Sequence, residues 1–318
     1  LVFIIYYGTT TDFVLGGVLD AEKISGMEEL LKFVFLLAFV GFGTKAAVFP
    51  MYAWLPAASV APTPVTALLH AVAVVNAGAY AVLRVIYYSF GASFLYGTWA
   101  QTVALLLSCF TILFGSTMAV REQHFKRRLA YSTISNLSYM LMGAALMTPD
   151  GMTGSLSHLV IHGVIKITLF YCAGAILIKT GKEYVQDLRG YSRIMPATCG
   201  IFLLGSIALV GTPPLAGFVS KWNLLTAASA TGLPMGTVAI VCLIISAILT
   251  AIYLFTAALP MYFRPLNADQ AQLAGQKLDP SWMMLVPMGI LCALMIGLGL
   301  WSQPLVTFLR NISAGVIF

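Results

Sequence analysis

The sequence is divided into apolar stretches long enough to cross a lipid bilayer. A helical crossing takes about 20 predominantly apolar residues. Eight stretches approach or exceed this length: 30–55, 64–88, 98–119, 129–147, 154–178, 196–227, 236–262 and 282–309. Of the whole chain, 60% is hydrophobic and only 9% is charged, which leaves too little polar surface for a soluble globule. The sequence therefore predicts an all-α, polytopic membrane protein.

The start of the sequence carries a separate expectation. The opening residues LVFIIYY resemble the tail of a ninth span, and the chain begins with Leu1 rather than Met. No basic region precedes this apolar run, so the pattern does not match a signal peptide. We therefore expect the chain to be truncated at its N-terminus.

The basic residues predict how the chain is threaded through the membrane. When the spans alternate in direction, one side receives most of them: Arg121, Lys126, Arg127, Arg128, Lys179, Lys182, Arg189, Arg193, Arg264 and Lys277. Cytoplasmic loops carry an excess of Lys and Arg, so this side is expected to be cytoplasmic and the C-terminus to lie opposite, in a bacterial or archaeal cell membrane. Because these residues sit in short loops, the net charge of +6 does not indicate a nucleic-acid partner.

One span carries titratable side chains along a single helical face. In Leu156–Thr180, which reads LSHLVIHGVIKITLFYCAGAILIKT, His158, His162 and Lys166 follow one another at four-residue intervals. Each interval turns a helix by about 40° and rises about 6 Å, so the three groups form a ladder. Ionisable groups at membrane depth face a bundle interior or a water-filled cavity and by default mark an ion or proton path.

Two spans have the composition of helices interrupted at membrane depth, and each contains a lysine. Lys45 lies between Gly43 and Pro50. Lys221 follows the Pro213–Pro214 pair, which must break a helix because proline lacks the backbone donor and crowds the preceding turn. Interruptions are tolerated in a membrane only where protein or water satisfies the freed backbone groups. Five crossings separate the starts of the two spans, so they run in opposite directions, as in an inverted repeat.

Other residues inside the spans leave more than one interpretation open. His70 could be a satisfied packing residue or a second titratable group near Lys45. The hydroxyl and amide side chains of residues 132–138 could join helices or hold water. The cysteines are spread one per span without a CxxC pair, which indicates packing residues. The HxxxH pair in the ladder has no further ligand type beside it, so we expect no metal.

Four motifs in order carry a family resemblance: FGTKAAVFPMYAWLPAASVAPTPVTALLHA, KRRLAYSTISNLSYM, HLVIHGVIK and GTPPLAGFVSKW. They resemble the antiporter-like proton-translocating subunits of respiratory complex I, of membrane-bound hydrogenases and formate hydrogenlyase, and of Mrp-type cation/proton antiporters. The resemblance covers residues 1 to about 260. It implies two inverted five-helix bundles, each with a half-channel. The divisions would be 1–90 for the C-terminal part of the first bundle, 91–262 for the second, and 263–318 for a cytoplasmic loop and final transmembrane helix.

By motif position, the resemblance also implies a proton relay of lysine and histidine side chains. Its members are Lys45, His70, His158, His162, Lys166 and Lys221. Lys45 and Lys221 would lie on the broken helices, and His70 would be the titratable link on the helix after the first of them. Asn76 departs from the pattern, since several relatives carry a second lysine there. The glutamate partner of the first lysine would lie upstream of residue 1.

Together these features predict proton translocation, with Na⁺ as a further candidate ion. Burial disfavours the charged form of a lysine and a nearby carboxylate favours it, so a change in surroundings can make a lysine release or take up a proton. None of the 11 carboxylates lies deep in a span, so the path would run on lysine and histidine. The chain has no dinucleotide fingerprint, iron–sulfur cysteine set or HExxH motif. We therefore expect no cofactor and no redox centre in this chain.

Three functional classes remain open from the sequence. The first is the ion-translocating subunit of an oxidoreductase or antiporter complex, with other membrane subunits and lipid as partners. The second is an independent secondary carrier of a small solute, and the third is a structural subunit with an inactive polar axis. Within the first class, VFPMYAWLPAASVAPTP and GFVSKW favour the Mrp and hydrogenase branch over a respiratory NADH enzyme.

Overall fold

The chain folds into helices, which suit an apolar environment because they satisfy backbone hydrogen bonds within one segment. The computed structural model describes residues 6–10, 13, 15–59, 61–232, 234–267 and 275–315. Its helices are α1 Ala21–Ile24, α2 Glu28–Gly43, α3 Trp54–Ala58, α4 Thr63–Ala71, α5 Val74–Arg84, α6 Ala92–Leu95, α7 Trp99–Arg121, α8 Phe125–Ala145, α9 Pro149–Thr180, α10 Pro196–Val210, α11 Ala216–Ala230, α12 Pro234–Phe263, α13 Trp282–Leu300 and α14 Gln303–Ala314. A π-helical segment, Val85–Phe90, continues α5. Within the described ranges no β-strand forms, and the predicted all-α fold is confirmed.

Within the described residues, five helical segments are long and apolar enough to cross a membrane by length and composition. They are Thr63–Phe90, Trp99–Arg121, Pro149–Thr180, Pro234–Phe263 and Trp282–Leu300. Three of the predicted stretches are helical but fall short of these criteria. Two of them are the interrupted, lysine-bearing spans, and the third is α8, whose hydroxyl, amide and basic residues lower its hydropathy.

Both predicted interruptions are confirmed. The first opens where α2 ends at Gly43, and regular helix returns only with α3; Ala47 within it has a φ of 58°. The Trp54 indole donates to the freed carbonyl of Thr44 at 2.9 Å. The second interruption separates α10 from α11 and begins at Gly211, whose φ of 95° ends α10 in a left-handed conformation.

A third interruption, between α4 and α5, is not predicted by the sequence. Helix α4 ends at Ala71, immediately after His70, and α5 begins at Val74. The Asn76 side chain donates to the freed carbonyl of Ala71 at 2.8 Å. Helix α9 passes close to this point at Gly163, where an added Cβ would lie 3.1 Å from the same carbonyl oxygen. Asn76 therefore stabilises the break beside His70.

The last predicted span, 282–309, is wrong as a single helix. Helix α13 ends at Leu300, and a separate amphipathic helix, α14, runs from Gln303 to Ala314. Pro304 fits the division, because it lies in the first turn of α14, where its missing N–H donor is not needed. The apolar residues Val306 and Leu309 of α14 are buried, and the helix packs against α9.

Helix α9 is the centre of the fold. It packs against α4, α8, α10, α11, α13 and α14. In the most apolar 18-residue stretch of α9, 72% is buried inside the structure, whereas the corresponding share in α13 is 11%. Titratable side chains on α9 are therefore enclosed by other helices, whereas most of α13 faces outward. The division of the chain at residues 90 and 262 stays a prediction.

The close approach of α10 and α11 beside α9 generates a stability prediction. A Cβ added to Gly217 would collide with the carbonyl oxygen of Ala208, so Gly217→Ala must push the two halves of the broken helix apart. We expect a loss of about 1–3 kcal/mol, measured by thermal unfolding of the full-length protein in detergent. The control is Gly289→Ala in α13, where an added Cβ meets nothing within 4 Å; it is expected to be neutral or slightly stabilising. Equal behaviour of the two variants would contradict this packing.

Candidate functional site

The predicted ladder lies on one buried face of α9. His158 is 2% exposed, and both His162 and Lys166 are fully buried. The rings of His158 and His162 are near-parallel, with centroids 5.7 Å apart. The four-residue spacing therefore aligns these groups inside the bundle, as the sequence predicts.

Helix α8 supplies the partners of Lys166. The Lys166 ammonium donates to the backbone carbonyl of Leu129 at 2.9 Å and to the hydroxyl of Ser132. Asn136 donates in turn to the Ser132 carbonyl at 2.7 Å. Both acceptors of the ammonium are neutral oxygens, and no ion pair to Lys166 forms within the described ranges.

Lys221 is held by the end of the broken helix. Its ammonium donates to the carbonyls of Leu209 and Val210, at 2.8 and 2.9 Å, in the last turn of α10. The C-terminal end of a helix carries partial negative charge, which favours a cation there. The ring of Tyr139 lies 5.4 Å from the same ammonium. An added Cβ at Gly211 would lie 2.9 Å from the Lys221 stem, so glycine at this position also leaves room for the lysine.

The ladder meets the broken helix at His158. The His158 Nδ1 atom and the Ser220 hydroxyl form a hydrogen bond of 2.9 Å, and Ser220 precedes Lys221 in α11. The Tyr139 ring packs edge-on against His158, with centroids 5.4 Å apart. His158 is therefore connected to the residue next to Lys221, and Tyr139 contacts both.

His70 extends the ladder at its opposite end. Its ring is fully buried and stacks on Phe170 with centroids 4.8 Å apart and planes 16° apart. Phe170 lies one helical turn beyond Lys166 on α9. His162 lies one helical turn from both His158 and Lys166 on α9, and the next residue, Gly163, packs against the Ala71 carbonyl beside His70. Five of the six predicted residues thus form one buried group, which we call the buried file: His70, Lys166, His162, His158 and Lys221.

Lys45 lies apart from the buried file. Its side chain is exposed on the surface of the described part of the chain, where no hydrogen bond or ion pair holds its ammonium. Its backbone packs closely against α5, since an added Cβ at Gly78 would lie 2.6 Å from both the Lys45 Cβ and the Ala46 nitrogen. The role of Lys45 as a member of a relay stays a prediction.

Most ring nitrogens of the buried file have no protein partner within the described ranges. Both nitrogens of His70, both of His162 and Nε2 of His158 are buried and unpaired. Buried polar atoms are almost always hydrogen-bonded to protein or to ordered water. The file is therefore a row of polar atoms suited to contact with water.

Comparison with known proteins decides the family. The family described as "NADH:quinone oxidoreductase/Mrp antiporter, TM" matches residues 2–250. The chain belongs to this family. NADH-quinone oxidoreductase subunit N of Desulforudis audaxviator is 33% identical over 289 residues, covering 87% of this chain and 56% of that protein. NADH-quinone oxidoreductase subunit L of Rickettsia conorii is 36% identical over 239 residues, covering 74% of this chain and 35% of that protein.

Chains in two solved membrane complexes have the same fold. A chain of the Mrp complex from Dietzia sp. matches with a TM-score of 0.78 at 22% identity, covering 99% of this chain and 62% of that one. A chain of respiratory complex I from Thermus thermophilus with bound NADH matches with a TM-score of 0.75 at 25% identity, covering 91% of this chain and 59% of that one. The chain spans between 35% and 56% of the length of the two sequence relatives. It is an integral, multi-pass membrane protein.

A hydroxyl cluster beside the buried file is missed by sequence reasoning. Ser116 of α7, Ser135 of α8 and Ser246 of α12 lie within 2.6 to 3.2 Å of one another, and Tyr139 donates to Ser246 at 2.7 Å. All four side chains are fully buried. Tyr139 also contacts His158 and Lys221. The cluster therefore holds in place a side chain that borders the buried file. The sequence shows only that each of three spans contains a serine at membrane depth. That these serines contact one another depends on helix packing.

The hydroxyl cluster generates the next prediction. Ser246→Ala removes a group shared by Ser116, Ser135 and Tyr139, and leaves buried hydroxyls short of a partner. We expect a loss of about 1–3 kcal/mol in the free energy of unfolding, measured in detergent by chemical denaturation of the full-length protein. The matched control is Ser108→Ala, since the buried Ser108 bonds only to the Ala104 carbonyl of its own helix. If the two variants lose the same stability, the cluster does not join the helices.

Proposed function

We propose that this chain moves protons across the membrane as the antiporter-like subunit of a multisubunit complex. The observation that carries the proposal is the buried file, in which lysine and histidine side chains follow one another through the interior without a carboxylate among them. Ionisable groups are costly at membrane depth and are retained there for function. The names of the relatives, subunits of NADH-quinone oxidoreductase and of an Mrp complex, support the same class.

Histidine chemistry suits the central part of this path. A neutral imidazole accepts a proton at one nitrogen and releases one from the other. The unpaired nitrogens of His70, His158 and His162 leave these positions open to bridging water. We infer that protons pass along the file between Lys166 and Lys221 through the imidazoles and ordered water.

The two lysines supply a means of coupling. Both ammonium groups are held by neutral oxygens, and the imidazoles of His162 and His158 lie between them along the file. Like charges repel more strongly in a low-dielectric interior than in water. A proton arriving at one lysine therefore favours proton release from the imidazole next to it in the file. An event in a neighbouring subunit that adds or removes charge near one end would drive the file in one direction.

The broken helix at Lys221 would give the file access to one face of the membrane, since its freed carbonyls line the point where α10 and α11 separate. Lys45, on the other broken helix, would provide the equivalent opening of the first bundle. We place the complex in a bacterial or archaeal cell membrane, with other membrane subunits as partners, and retain Na⁺ as a second candidate ion. The motif-based preference for the Mrp and hydrogenase branch is part of the same proposal.

Two alternatives make different predictions. An independent solute carrier would transport as an isolated chain, whereas the proposed subunit functions only within its complex. A structural subunit would retain its place in the complex but would not depend on the charge of Lys166 or Lys221. The buried and unpaired histidines favour the proton path over the structural alternative, because buried polar atoms without a function are unfavourable.

We expect Lys221→Met and Lys166→Met each to reduce proton translocation by at least tenfold. Methionine is similar in length to lysine but cannot carry the proton. Translocation is measured with a pH-sensitive dye in proteoliposomes that contain the complete complex.

The matched control is Lys277→Met, which removes an exposed lysine from the loop before α13 and is expected to leave translocation unchanged. Assembly is checked by co-purification of the other subunits, so that loss of the complex is not mistaken for loss of the path. Full proton movement in both assembled variants would rule out the proposed path. Solute uptake by the isolated wild-type chain would instead favour the carrier.

A further inference from the structure

A groove of about 800 Å³ lies away from the buried file, where the outer face of α12 meets the turn between α7 and α8 and the segment after α9. Its volume lies in the range of ligand sites. Arg189 and Arg264 lie together at one end, since an added Cβ at Gly190 would lie 3.0 Å from the Arg264 carbonyl oxygen. Arg128 also lines the groove but bonds to Tyr253 and Thr256, about two turns further along α12. The remaining lining is mostly apolar.

The guanidinium groups lie on the side of the membrane predicted to be cytoplasmic. Within the described ranges no ion pair involves Arg128, Arg189 or Arg264. Arg128 is 3% exposed and is fixed by bonds to neutral oxygens: the carbonyls of Glu122 and Tyr253 and the Thr256 hydroxyl, at 2.8, 3.0 and 2.9 Å. Arg189 and Arg264 therefore bring positive charge to one end of the groove.

The apolar wall follows one face of α12. Ile252, Phe255, Leu259 and Phe263 line the groove at three- and four-residue intervals, which places them on one side of a helix. Toward the membrane interior the same face continues through Ile248 and Ile245, both of which are exposed. From Leu259 to Ile248 the helix rises roughly 16 Å, close to the hydrocarbon depth of one leaflet, which is about 15 Å.

Backbone hydrogen bonds hold the walls of the groove in place. Val185 donates to Gln123 at 3.0 Å and Phe125 donates to Glu183 at 2.8 Å, which ties the segment after α9 to the α7–α8 turn. Gly190 donates to Pro260 at 3.0 Å and ties the same segment to α12. The walls of the groove are therefore joined to one another by the protein's own backbone, without a ligand.

We propose that this groove binds one anionic phospholipid, with its phosphate headgroup at Arg189 and Arg264 and an acyl chain along the outer face of α12. Charge complementarity selects an anionic headgroup, because guanidinium groups bind phosphate oxygens in bidentate geometry. Basic pockets on the cytoplasmic side of helix bundles are known lipid headgroup sites. The site is separate from the buried file and does not depend on the proposed proton path.

The test is lipid titration by native mass spectrometry on the full-length protein in its complex, delipidated in mild detergent. The probes are phosphatidylglycerol and the zwitterionic phosphatidylcholine. The variant Arg189→Gln/Arg264→Gln leaves Arg128 in place, because Arg128 also holds α8 to α12. We expect it to weaken phosphatidylglycerol binding about thirtyfold, as two basic groups near an anionic headgroup contribute. Phosphatidylcholine is expected to bind weakly to both forms.

Two further variants separate a built site from general surface charge. Arg193→Gln/Lys277→Gln removes the same charge from the same side but from residues outside the groove lining, and is expected to retain phosphatidylglycerol. Ala251→Trp fills the groove without changing its charge and is expected to weaken binding. Equal loss in the two charge variants, full binding in Ala251→Trp, or equal affinity for the two lipids would overturn the proposal. So would cross-linking of a photoreactive residue at Leu259 to a protein subunit in the intact complex.

Discussion

The burial of α9 is the constraint on which the rest of the structure depends. This helix carries two imidazoles and an ammonium group into an apolar interior, where unpaired polar atoms cost about 1–3 kcal/mol each. The surrounding helices provide hydrogen-bonding oxygens. The Leu129 carbonyl and the Ser132 hydroxyl bind Lys166, and the Ser220 hydroxyl binds His158. Helix α8 has a low hydropathy for a span because its polar groups face the Lys166 ammonium.

The interruptions in the helices belong to the same arrangement. A continuous helix uses its carbonyls internally, whereas a broken one presents them to other groups. At the end of α10 the freed carbonyls of Leu209 and Val210 accept the Lys221 ammonium. At the end of α4 the freed Ala71 carbonyl accepts Asn76 beside the buried His70. A titratable side chain and a helix end thus occur together at both points, although Lys221 bonds directly to the freed carbonyls and His70 does not.

Local sequence signals predict the parts of the structure that arise within a single segment. The spacing of His158, His162 and Lys166 places them on one face, and the glycine and proline residues around Lys45 and Lys221 predict both breaks. No glycine or proline marks the break after Ala71. The side-chain amide of Asn76, five residues later, stabilises it instead. The division of the last span was signalled by Pro304, whose position in a first helical turn became evident only from the fold.

Contacts between distant segments could not be predicted in the same way. Ser116, Ser135 and Ser246 are ordinary small residues of three separate spans until helix packing brings them together. The groove arginines likewise belong to three separate parts of the chain, so their sequence pattern indicates only topology. Tertiary packing also separates Lys45 from the buried file in the described part of the chain, although the motifs place the two in one relay.

The central claim is that the buried file is a water-linked path, and the most direct measurement is a cryo-electron microscopy map of the complete complex that resolves ordered water. The account predicts waters within hydrogen-bond distance of the unpaired nitrogens of His162 and His158, forming a connected row between Lys166 and Lys221. Imidazoles packed only against apolar side chains, with no water between the two lysines, would contradict it.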